Sequence, residues 1–262
     1  MNTLERFMKS PFPVDLVLVT WGRQDMTEMC IKAIRQNTDR DHYRLIVIDN
    51  GSSQEMWDML MGLQDKDYID NLILNETNRG LEPARNQGLD QVDSKLFVCV
   101  DNDCLIQKRV KGKDWLELMV DLMDRYQGYA AISARTQVMI GTGNIFEEKE
   151  HEEEIIDFPH PGGSFRIMRT DAVRSVGGWR EDSRGRGAEE RYICGRLREE
   201  GWLTGFAVGI KCLHLFGTRG EQGTDPWGYP KDWRPEETGH QEVSHPALTN
   251  GDDPEEIRKY YR

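Results

Sequence analysis

Two pairs of acidic residues have the types and spacing best suited to metal binding or proton transfer. The first pair, Asp101 and Asp103, directly follows the apolar, β-prone run 97–100. Such a run is typical of a buried strand in a sheet covered on both faces, and ligands of open α/β sheets bind beyond the carboxyl ends of the strands. Carboxylate oxygens at that point favour a divalent cation that also holds a phosphate-bearing ligand. A plain acidic turn is the alternative, because short D-x-D strings are common.

The second pair, Glu189 and Glu190, opens a helix predicted over about residues 188–200. One face of this helix combines residues at i, i+3, i+4 and i+7 spacing, namely Glu190, Ile193, Cys194 and Leu197. This spacing predicts that Glu190 leans toward the core and that Glu189 lies nearer the edge. Acidic residues are favoured at any helix N-terminus, so a purely structural role for the pair stays open.

The elements that must position these acids alternate regularly in the first half of the chain. Amphipathic helices separate predicted strands over residues 14–20, 43–48, 71–74, 97–100 and 129–133. Four alternations of strand and helix predict an α/β fold with a parallel sheet wrapped by helices.

Capping signals predict where several helices begin. Asp25 is the expected N-cap of the helix after the first strand. Ser52 and Glu55 form an expected capping box for the next helix. Thr170 is the expected cap of a short helix that ends at the glycine pair 177–178.

Past Arg135 the alternation ends. Strands are predicted over residues 163–169 and 208–215, before and after the helix that begins with Glu189 and Glu190. From residue 217 onward Gly, Pro, Trp and charged residues dominate, which favours irregular structure. We therefore predict a single domain over residues 1–216, with halves over 14–135 and 136–216, and an irregular C-terminal lid or tail over 217–262.

Composition excludes several classes of protein. The formal net charge of −12 argues against non-specific binding to nucleic acids or membrane surfaces. The five cysteines include no CxxC pair, so buried free thiols in a reducing compartment such as the cytoplasm are expected rather than disulfides or a zinc site. No run approaches 18 apolar residues, so we expect neither secretion nor a membrane span.

Six strings, in order and at consistent spacing, resemble the motifs of the family 2 glycosyltransferases, nucleotide-sugar-dependent enzymes of the GT-A fold. The strings are VLVTWGR at 17–23, IVIDNGS at 46–52, NRG with ARNQG at 78–88, DND at 101–103, GGWRE at 177–181, and GAEE with RL at 187–197. The resemblance implies a Rossmann-like, mixed but mostly parallel central sheet flanked by helices. It also implies a nucleotide-binding half over residues 14–135 and an acceptor and catalytic half over residues 136–216.

The resemblance implies a set of residues that contact the nucleotide: Thr20, Arg23, Asp49, Arg79, Arg85, Asp101 and Asn102. Asp49 would accept a hydrogen bond from the base or ribose, and Arg79 and Arg85 would offer planar cationic donors to the diphosphate. Alternatives remain for two of them. Asp49 could be the cap partner of the following helix, and Arg85 could lie on a solvated helix face.

The resemblance also implies a metal site and a general base. Asp103 would ligate Mn²⁺ or Mg²⁺ directly, Asp101 would contact the ribose or reach the metal through water, and His214 would be a further ligand unless it is simply packed among apolar residues. The second acid of the family's Glu-Asp pair is the general base, which corresponds to Glu190, with Glu189 as the alternative. This chain departs from the family there, because Glu190 is one methylene longer than the usual Asp and Tyr192 replaces a later acid. The string Gly-Gly-Ser at 162–164 resembles the glycine segment under the donor sugar.

We therefore predict a metal-dependent glycosyltransferase that moves a sugar from a nucleoside diphosphate donor, UDP-linked by default, to a hydroxyl acceptor such as a glycan, with inversion. A retaining enzyme of the same fold and a non-catalytic sugar-nucleotide-binding module are alternatives. A nucleotidyltransferase would need a glycine-rich basic loop after the first strand, and residues 20–23 match that requirement poorly.

Overall fold

The computed structural model describes residues 14–109, 112–138, 153–180 and 188–215. Nine strands within these ranges form one sheet, in the order β3-β2-β1-β4-β8-β6-β9-β5, with β7 paired to β9. The strands are β1 (Val14–Thr20), β2 (Tyr43–Asp49), β3 (Asn71–Leu74), β4 (Leu96–Asp101), β5 (Cys104–Ile106), β6 (Tyr129–Val138), β7 (Ile155–Asp157), β8 (Arg166–Arg169) and β9 (Leu203–His214).

Six α-helices of the described ranges cover this sheet. They are α1 (Gln24–Asn37), α2 (Gln54–Gln64), α3 (Leu81–Leu89), α4 (Trp115–Arg125), α5 (Thr170–Ser175) and α6 (Ala188–Glu199), and a 3₁₀ turn (Arg40–His42) precedes β2. The predicted order of strands and helices is confirmed through β6 except for β5, a short strand after β4 that was not predicted. Strand β6 is longer than predicted, and β9 begins five residues earlier than the predicted residue 208.

The sheet is mixed, as predicted. Strands β3, β2, β1 and β4 are parallel neighbours, whereas β8 runs antiparallel between β4 and β6. Strand β9 is parallel to β6, and β5 and β7 are both antiparallel to β9. The register of β9 against β6 shifts between Ala134 and Arg135. Such an irregularity bends the strand, and β9 pairs with β7 before this point and with β5 after it.

Alternation along the strands places apolar side chains on both faces of the sheet. In β4, Val98 and Val100 join the core formed with α1, α2 and α4, while Phe97 and Cys99 join the core formed with α3, α5 and α6. The run before Asp101 is therefore a buried central strand, as predicted. Burying each such side chain contributes about 1.5–3 kcal/mol, which holds the strand end rigid where the acidic residues begin.

Three predicted helix caps are wrong. Helix α1 begins at Gln24, and its N-cap is Arg23 in the left-handed region rather than Asp25. The N-cap of α2 is Ser53, because the Ser52 hydroxyl bonds the Asp49 carboxylate instead. The Thr170 hydroxyl donates to the Ser94 carbonyl oxygen of a neighbouring loop, and α5 has no side-chain cap. The Ser52 hydroxyl is thus engaged within its own turn and the Thr170 hydroxyl by a distant loop, so neither caps its helix.

Candidate active site

The carboxyl ends of three parallel strands meet at one edge of the sheet. The register pairs Thr20 with Asp49 and Val19 with Asp101, so the last residues of β1, β2 and β4 lie side by side. Ligands bind at this edge in open α/β sheets. The structure therefore brings the predicted residues of these three strands to one place.

Thr20 and Asn102 lie beneath this edge in a buried polar network. The Asn102 amide donates to the hydroxyl oxygens of Thr20 and Thr27 at 3.0 and 2.9 Å. Thr20 is 1% exposed. These contacts hold the turn between Asp101 and Asp103 against the start of α1.

Asp49 is engaged within its own turn. Its carboxylate accepts hydrogen bonds from the Ser52 backbone N–H, the Ser52 hydroxyl and the Trp57 indole N–H at 2.9, 2.5 and 2.7 Å. Burial raises the pKa of Asp49 despite these hydrogen bonds. These bonds join Asp49 to the start of the following helix, so the alternative role of Asp49 as a cap partner is present in the structure.

Asp103 and His214 converge because β5 pairs with the end of β9. Cys104 lies opposite His214 in the antiparallel register, and the Leu215 backbone N–H donates to the Asp103 carbonyl oxygen. As a result, His214 Nε2 lies 3.3 Å from Asp103 Oδ2. Residues 111 positions apart along the chain are joined only by this strand pairing.

The Asp103 carboxylate is also paired with Arg23, whose Nη1 donates to Asp103 Oδ2 at 2.6 Å. Burial raises the pKa of Asp103, but the positive charges of His214 and Arg23 outweigh burial and hold that pKa well below its usual range. Burial lowers the pKa of His214, and the Asp103 carboxylate outweighs it, so the pKa of His214 is raised. The carboxylate is therefore kept ionised at the mouth of the site.

The residues around Asp103 fit a divalent cation. The Asp103 carboxylate, the Cys104 thiol and the His214 imidazole place one ligand atom each within 4.8 Å of one another. The 3.3 Å between Asp103 Oδ2 and His214 Nε2 is close to the roughly 3 Å between neighbouring ligands of an octahedral ion with bonds of about 2.1 Å. Carboxylate and imidazole ligands together suit Mn²⁺ better than they suit Mg²⁺, which prefers oxygen alone.

Asp101 lies apart from that cluster. Its Oδ1 accepts from Arg85 Nη2 at 2.6 Å and its Oδ2 accepts from the Ser164 hydroxyl at 3.0 Å. A Cβ on Gly163 would lie 3.3 Å from Arg85 Nη2 and 3.4 Å from Asp101 Oδ2, so the absence of a side chain allows the backbone to pass close to this pair. The Gly-Gly-Ser segment at residues 162–164 therefore lies beside the end of β4, which bears Asp101.

Arg85 is buried, so the alternative of a solvated helix face is wrong. Its side chain is 1% exposed and lies between Asp101 and Glu189, with Arg85 Nε 3.6 Å from Glu189 Oε1. Helix α3 packs against β1 and β2, and this packing turns Arg85 toward the interior. Arg79, in contrast, is exposed, and its backbone N–H donates to Asn50 Oδ1.

Glu189, not Glu190, is the more buried acid of the second pair, so the prediction from helical spacing is wrong. Glu189 is 4% exposed, and its Oε1 accepts from Arg166 Nη2 at 2.5 Å and from the Trp179 indole N–H at 2.6 Å. Burial raises the pKa of Glu189, but the charges of Arg166 and Arg85 outweigh burial and lower it. The buried guanidinium groups of Arg166 and Arg85 draw Glu189 toward the interior. The apolar spacing of the helix carries no information about these two charges, so it could not predict this placement.

Glu190 is only partly buried. Desolvation, followed by the charge of Glu189, raises the pKa of Glu190, and the more distant charge of Asp101 acts in the same direction. A carboxylate with a raised pKa beside a ligand-binding edge has the properties of a general base.

Sequence reasoning missed the role of Arg166 and the place of the Cys104 thiol in the cluster with Asp103 and His214. Arg166 is fully buried at the start of β8, where a charged residue is unexpected. Its partner Glu189 was visible in the sequence as a helix-start acid and as the alternative base, but not as the partner of a buried arginine. The predicted lid over residues 217–262 lies outside the described residues.

All five cysteines are buried and free, as predicted. In the parts of the chain that the structure describes, no helix is both long enough and apolar enough to span a bilayer.

Solved structures with a similar fold are GT-A glycosyltransferases. The similar structures include GalNAc-T7 with UDP, GalNAc and Mn²⁺, at TM-score 0.64 and 14% identity over 79% of this chain and 44% of that one. They also include the mannosyltransferase PcManGT from Pyrobaculum calidifontis with GDP-Man and Mn²⁺, at TM-score 0.61 and 15% identity over 82% of this chain and 63% of that one. The fold is therefore GT-A, as predicted.

Residues 15–179 match the family described as Glycosyl transferase family 2. This match takes in more than half of the chain, so the chain belongs to glycosyl transferase family 2, and the resemblance drawn from its motifs is confirmed.

Curated relatives match over shorter stretches. "Glycosyltransferase AglE" of Haloferax volcanii is 24% identical over 173 residues, which are 64% of this chain and 48% of that protein. The "GalNAc(5)-diNAcBac-PP-undecaprenol beta-1,3-glucosyltransferase" of Campylobacter jejuni is 31% identical over 91 residues, which are 34% of this chain and 29% of that protein. The matched region thus spans less than half the length of each relative.

Proposed function

We propose that this protein is a divalent-metal-dependent glycosyltransferase that moves a sugar from a nucleoside diphosphate donor, UDP-linked by default, to a hydroxyl acceptor such as a glycan, with inversion. The observation that carries the proposal is the convergence of Asp103 and His214 at the edge where β1, β2 and β4 end. Membership of glycosyl transferase family 2 supports the reaction class.

Asp103 and His214 are the proposed metal ligands, with Asp101 reaching the ion through water or contacting the ribose. A divalent ion, when bound, neutralises the charge that develops on the departing nucleoside diphosphate. The imidazole ligand makes Mn²⁺ the preferred ion over Mg²⁺. Two similar structures contain Mn²⁺ together with a nucleotide or nucleotide sugar, which supports the same choice.

The nucleotide is proposed to lie along the edge formed by Thr20, Asp49 and Asp101. Arg23 and Arg79 border this edge from the loops after β1 and β3, and both can present a planar cation to a phosphate. Arg85 acts from below, because its buried guanidinium orients the Asp101 carboxylate at 2.6 Å. We therefore assign Arg85 to positioning Asp101 rather than to direct contact with the diphosphate.

Glu190 is the proposed general base that takes the proton of the acceptor hydroxyl. Its raised pKa suits a group that accepts a proton near neutral pH. Glu189 suits this role poorly, because its pKa is lowered and one of its oxygens already accepts from Arg166 and Trp179. A single base on the acceptor side supports inversion. A retaining enzyme, the alternative, is distinguished by the anomeric configuration of the product.

The donor is best identified by a thermal-shift screen of UDP-, GDP-, CDP- and dTDP-sugars with Mn²⁺. Sugar release from the stabilising donor is then measured for the wild type, with and without EDTA, and for Asp103→Ala. We expect EDTA to abolish turnover, added Mn²⁺ to restore it, and Asp103→Ala to be inactive at every Mn²⁺ concentration.

A matched control is Asp157→Ala, which removes a carboxylate from an ion pair with Arg198 that is largely exposed. This variant should keep full turnover. Full turnover of the wild type in EDTA would show that the reaction needs no metal. Tight nucleotide binding without sugar release or transfer would instead indicate a non-catalytic binding module.

A further inference from the structure

One Asp103 oxygen lies close to both Arg23 and His214. Arg23 Nη1 lies 2.6 Å from Asp103 Oδ2, and His214 Nε2 lies 3.3 Å from the same oxygen. The Asp103 side chain is 6% exposed. A carboxylate buried to this degree needs a positive partner to remain ionised, and Arg23 supplies that charge within the protein itself.

The backbone holds Arg23 in a conformation that an arginine rarely adopts. Gly22 and Arg23 have φ values of +58° and +55°, in the left-handed region that disfavours residues with a Cβ. The Gly22 backbone N–H is fixed by the Ser52 hydroxyl at 2.8 Å. Backbone strain of this kind persists where the surrounding structure imposes it and is common at ligand sites.

Arg23 differs from the other buried cations in its access to solvent. Its side chain is 13% exposed, whereas Arg85 and Arg166 are 1% and 0% exposed. Arg85 and Arg166 are buried beside their carboxylates, without direct access to solvent. Arg23 lies at the mouth of the site, where its side chain can move from Asp103 to a ligand at the strand edge.

We propose that Arg23 is an exchangeable counter-ion: it neutralises Asp103 when no metal is bound and transfers to the donor diphosphate when metal and nucleotide bind. This inference rests on the proposed function, because it takes Asp103 as a metal ligand and a nucleoside diphosphate as the donor. Since Arg23 competes with the cation for Asp103, metal alone binds weakly. Since the nucleotide draws Arg23 away, metal and nucleotide strengthen each other's binding by the same factor.

The test measures Mn²⁺ binding to the full chain by the electron paramagnetic resonance signal of free Mn²⁺, with and without UDP, in wild type and Arg23→Gln. Glutamine keeps a residue with a Cβ at the left-handed position and removes the guanidinium charge. We expect Arg23→Gln to bind Mn²⁺ alone at least about fivefold more tightly than wild type, and UDP to strengthen its Mn²⁺ binding at least about fivefold less. Arg23→Lys should be intermediate in both quantities.

Two controls separate this effect from a general change in charge. Lys32→Gln removes a cation from α1 that pairs with Glu28 in a partly exposed position, and it should leave both quantities unchanged. Asp103→Asn should abolish tight Mn²⁺ binding in wild type and in Arg23→Gln.

The outcomes distinguish this inference from the proposed function. If wild type and Arg23→Gln bind Mn²⁺ equally, or if Arg23→Gln binds it more weakly, the exchange is wrong while the metal site stands. An unchanged effect of UDP in Arg23→Gln would likewise contradict the transfer of Arg23 to the diphosphate. If neither protein shows Asp103-dependent Mn²⁺ binding, even with UDP, the metal site of the proposed function is itself wrong.

Discussion

Two carboxylates of this site are equally buried but are neutralised in different ways. Asp103 and Glu189 are each 4% exposed, and each accepts a short hydrogen bond from an arginine. The partner of Asp103 is Arg23 at the mouth of the site, while the partners of Glu189 are Arg166 and Arg85 in the core. The exposure of the cation, rather than that of the acid, therefore separates the carboxylate proposed to bind the metal from the one held in a buried ion pair.

The same contrast applies within the acid pair at the start of α6. Glu189 is held by two arginines and an indole, and its pKa is lowered. Glu190, the next residue, has a raised pKa and lies at the partly accessible side. One helix start thus provides a structural anchor and a candidate base, and each role can be removed separately.

The largest expected effect is on stability, from Glu189→Gln. Removing one partner of a buried ion pair leaves charges uncompensated and typically costs about 3–5 kcal/mol. Here two arginines would lose their common carboxylate, so we expect an unfolding free energy lower by about that amount in urea denaturation. Because the folded-state pKa of Glu189 is lowered, the wild-type advantage should be present above the ordinary Glu pKa of about 4.3 and be lost as pH falls through the folded pKa.

The control for that prediction is Glu199→Gln on the same helix. Glu199 pairs with Arg196 in an exposed position, and exposed pairs contribute about 0–1 kcal/mol. If Glu189→Gln is no more destabilising than Glu199→Gln, Glu189 is not the structural anchor that the geometry indicates.

The next effect is on turnover, from Glu190→Gln. Losing a general base typically lowers the rate by about 10²–10⁴-fold. We therefore expect turnover to fall by at least about 10²-fold, while the affinity for the donor is retained. The unfolding free energy should stay equal or rise slightly, because a buried carboxylate with a raised pKa is an unfavourable charge at neutral pH. Turnover and stability are measured on the same preparations. Retained turnover in Glu190→Gln, with loss in a folded Glu189→Gln, would show that the other acid is the base.

The smallest effect is a shift in pH dependence. The proposed base must be ionised, and its pKa is raised, so the acid limb of kcat/KM should lie above the ordinary Glu pKa of about 4.3. Activity should fall as pH decreases through that raised value, and the limb should be missing from the residual activity of Glu190→Gln. An acid limb at or below the ordinary value would contradict the assignment of Glu190, because a desolvated carboxylate next to Glu189 cannot titrate there.

Much of the first half of the chain was predictable from the sequence because its signals are local. Period-2 and apolar runs define β1, β2 and β4, helical periodicity defines the helices between them, and sequential parallel strands place Thr20, Asp49 and Asp101 at one edge. Motif order was sufficient to name the family. The helix caps were predicted less well, because the Ser52 hydroxyl bonds the Asp49 carboxylate and the Thr170 hydroxyl bonds the Ser94 carbonyl oxygen in place of capping a helix.

The sequence by itself determined the α/β class, the apolar strand that ends in Asp101 and the motifs of glycosyl transferase family 2, since each depends on residues within a few positions of one another. Only the tertiary structure decided which charges meet. The pairing of β5 with β9 brings His214 to Asp103, and the packing of α3 and β8 brings Arg85 and Arg166 to Glu189. These contacts decide which acid is held as an ion pair and which remains available for chemistry. These contacts join residues that are far apart in the chain. They depend on burial and on electrostatic attraction, and neither burial nor attraction between distant residues leaves a periodic signal in the sequence.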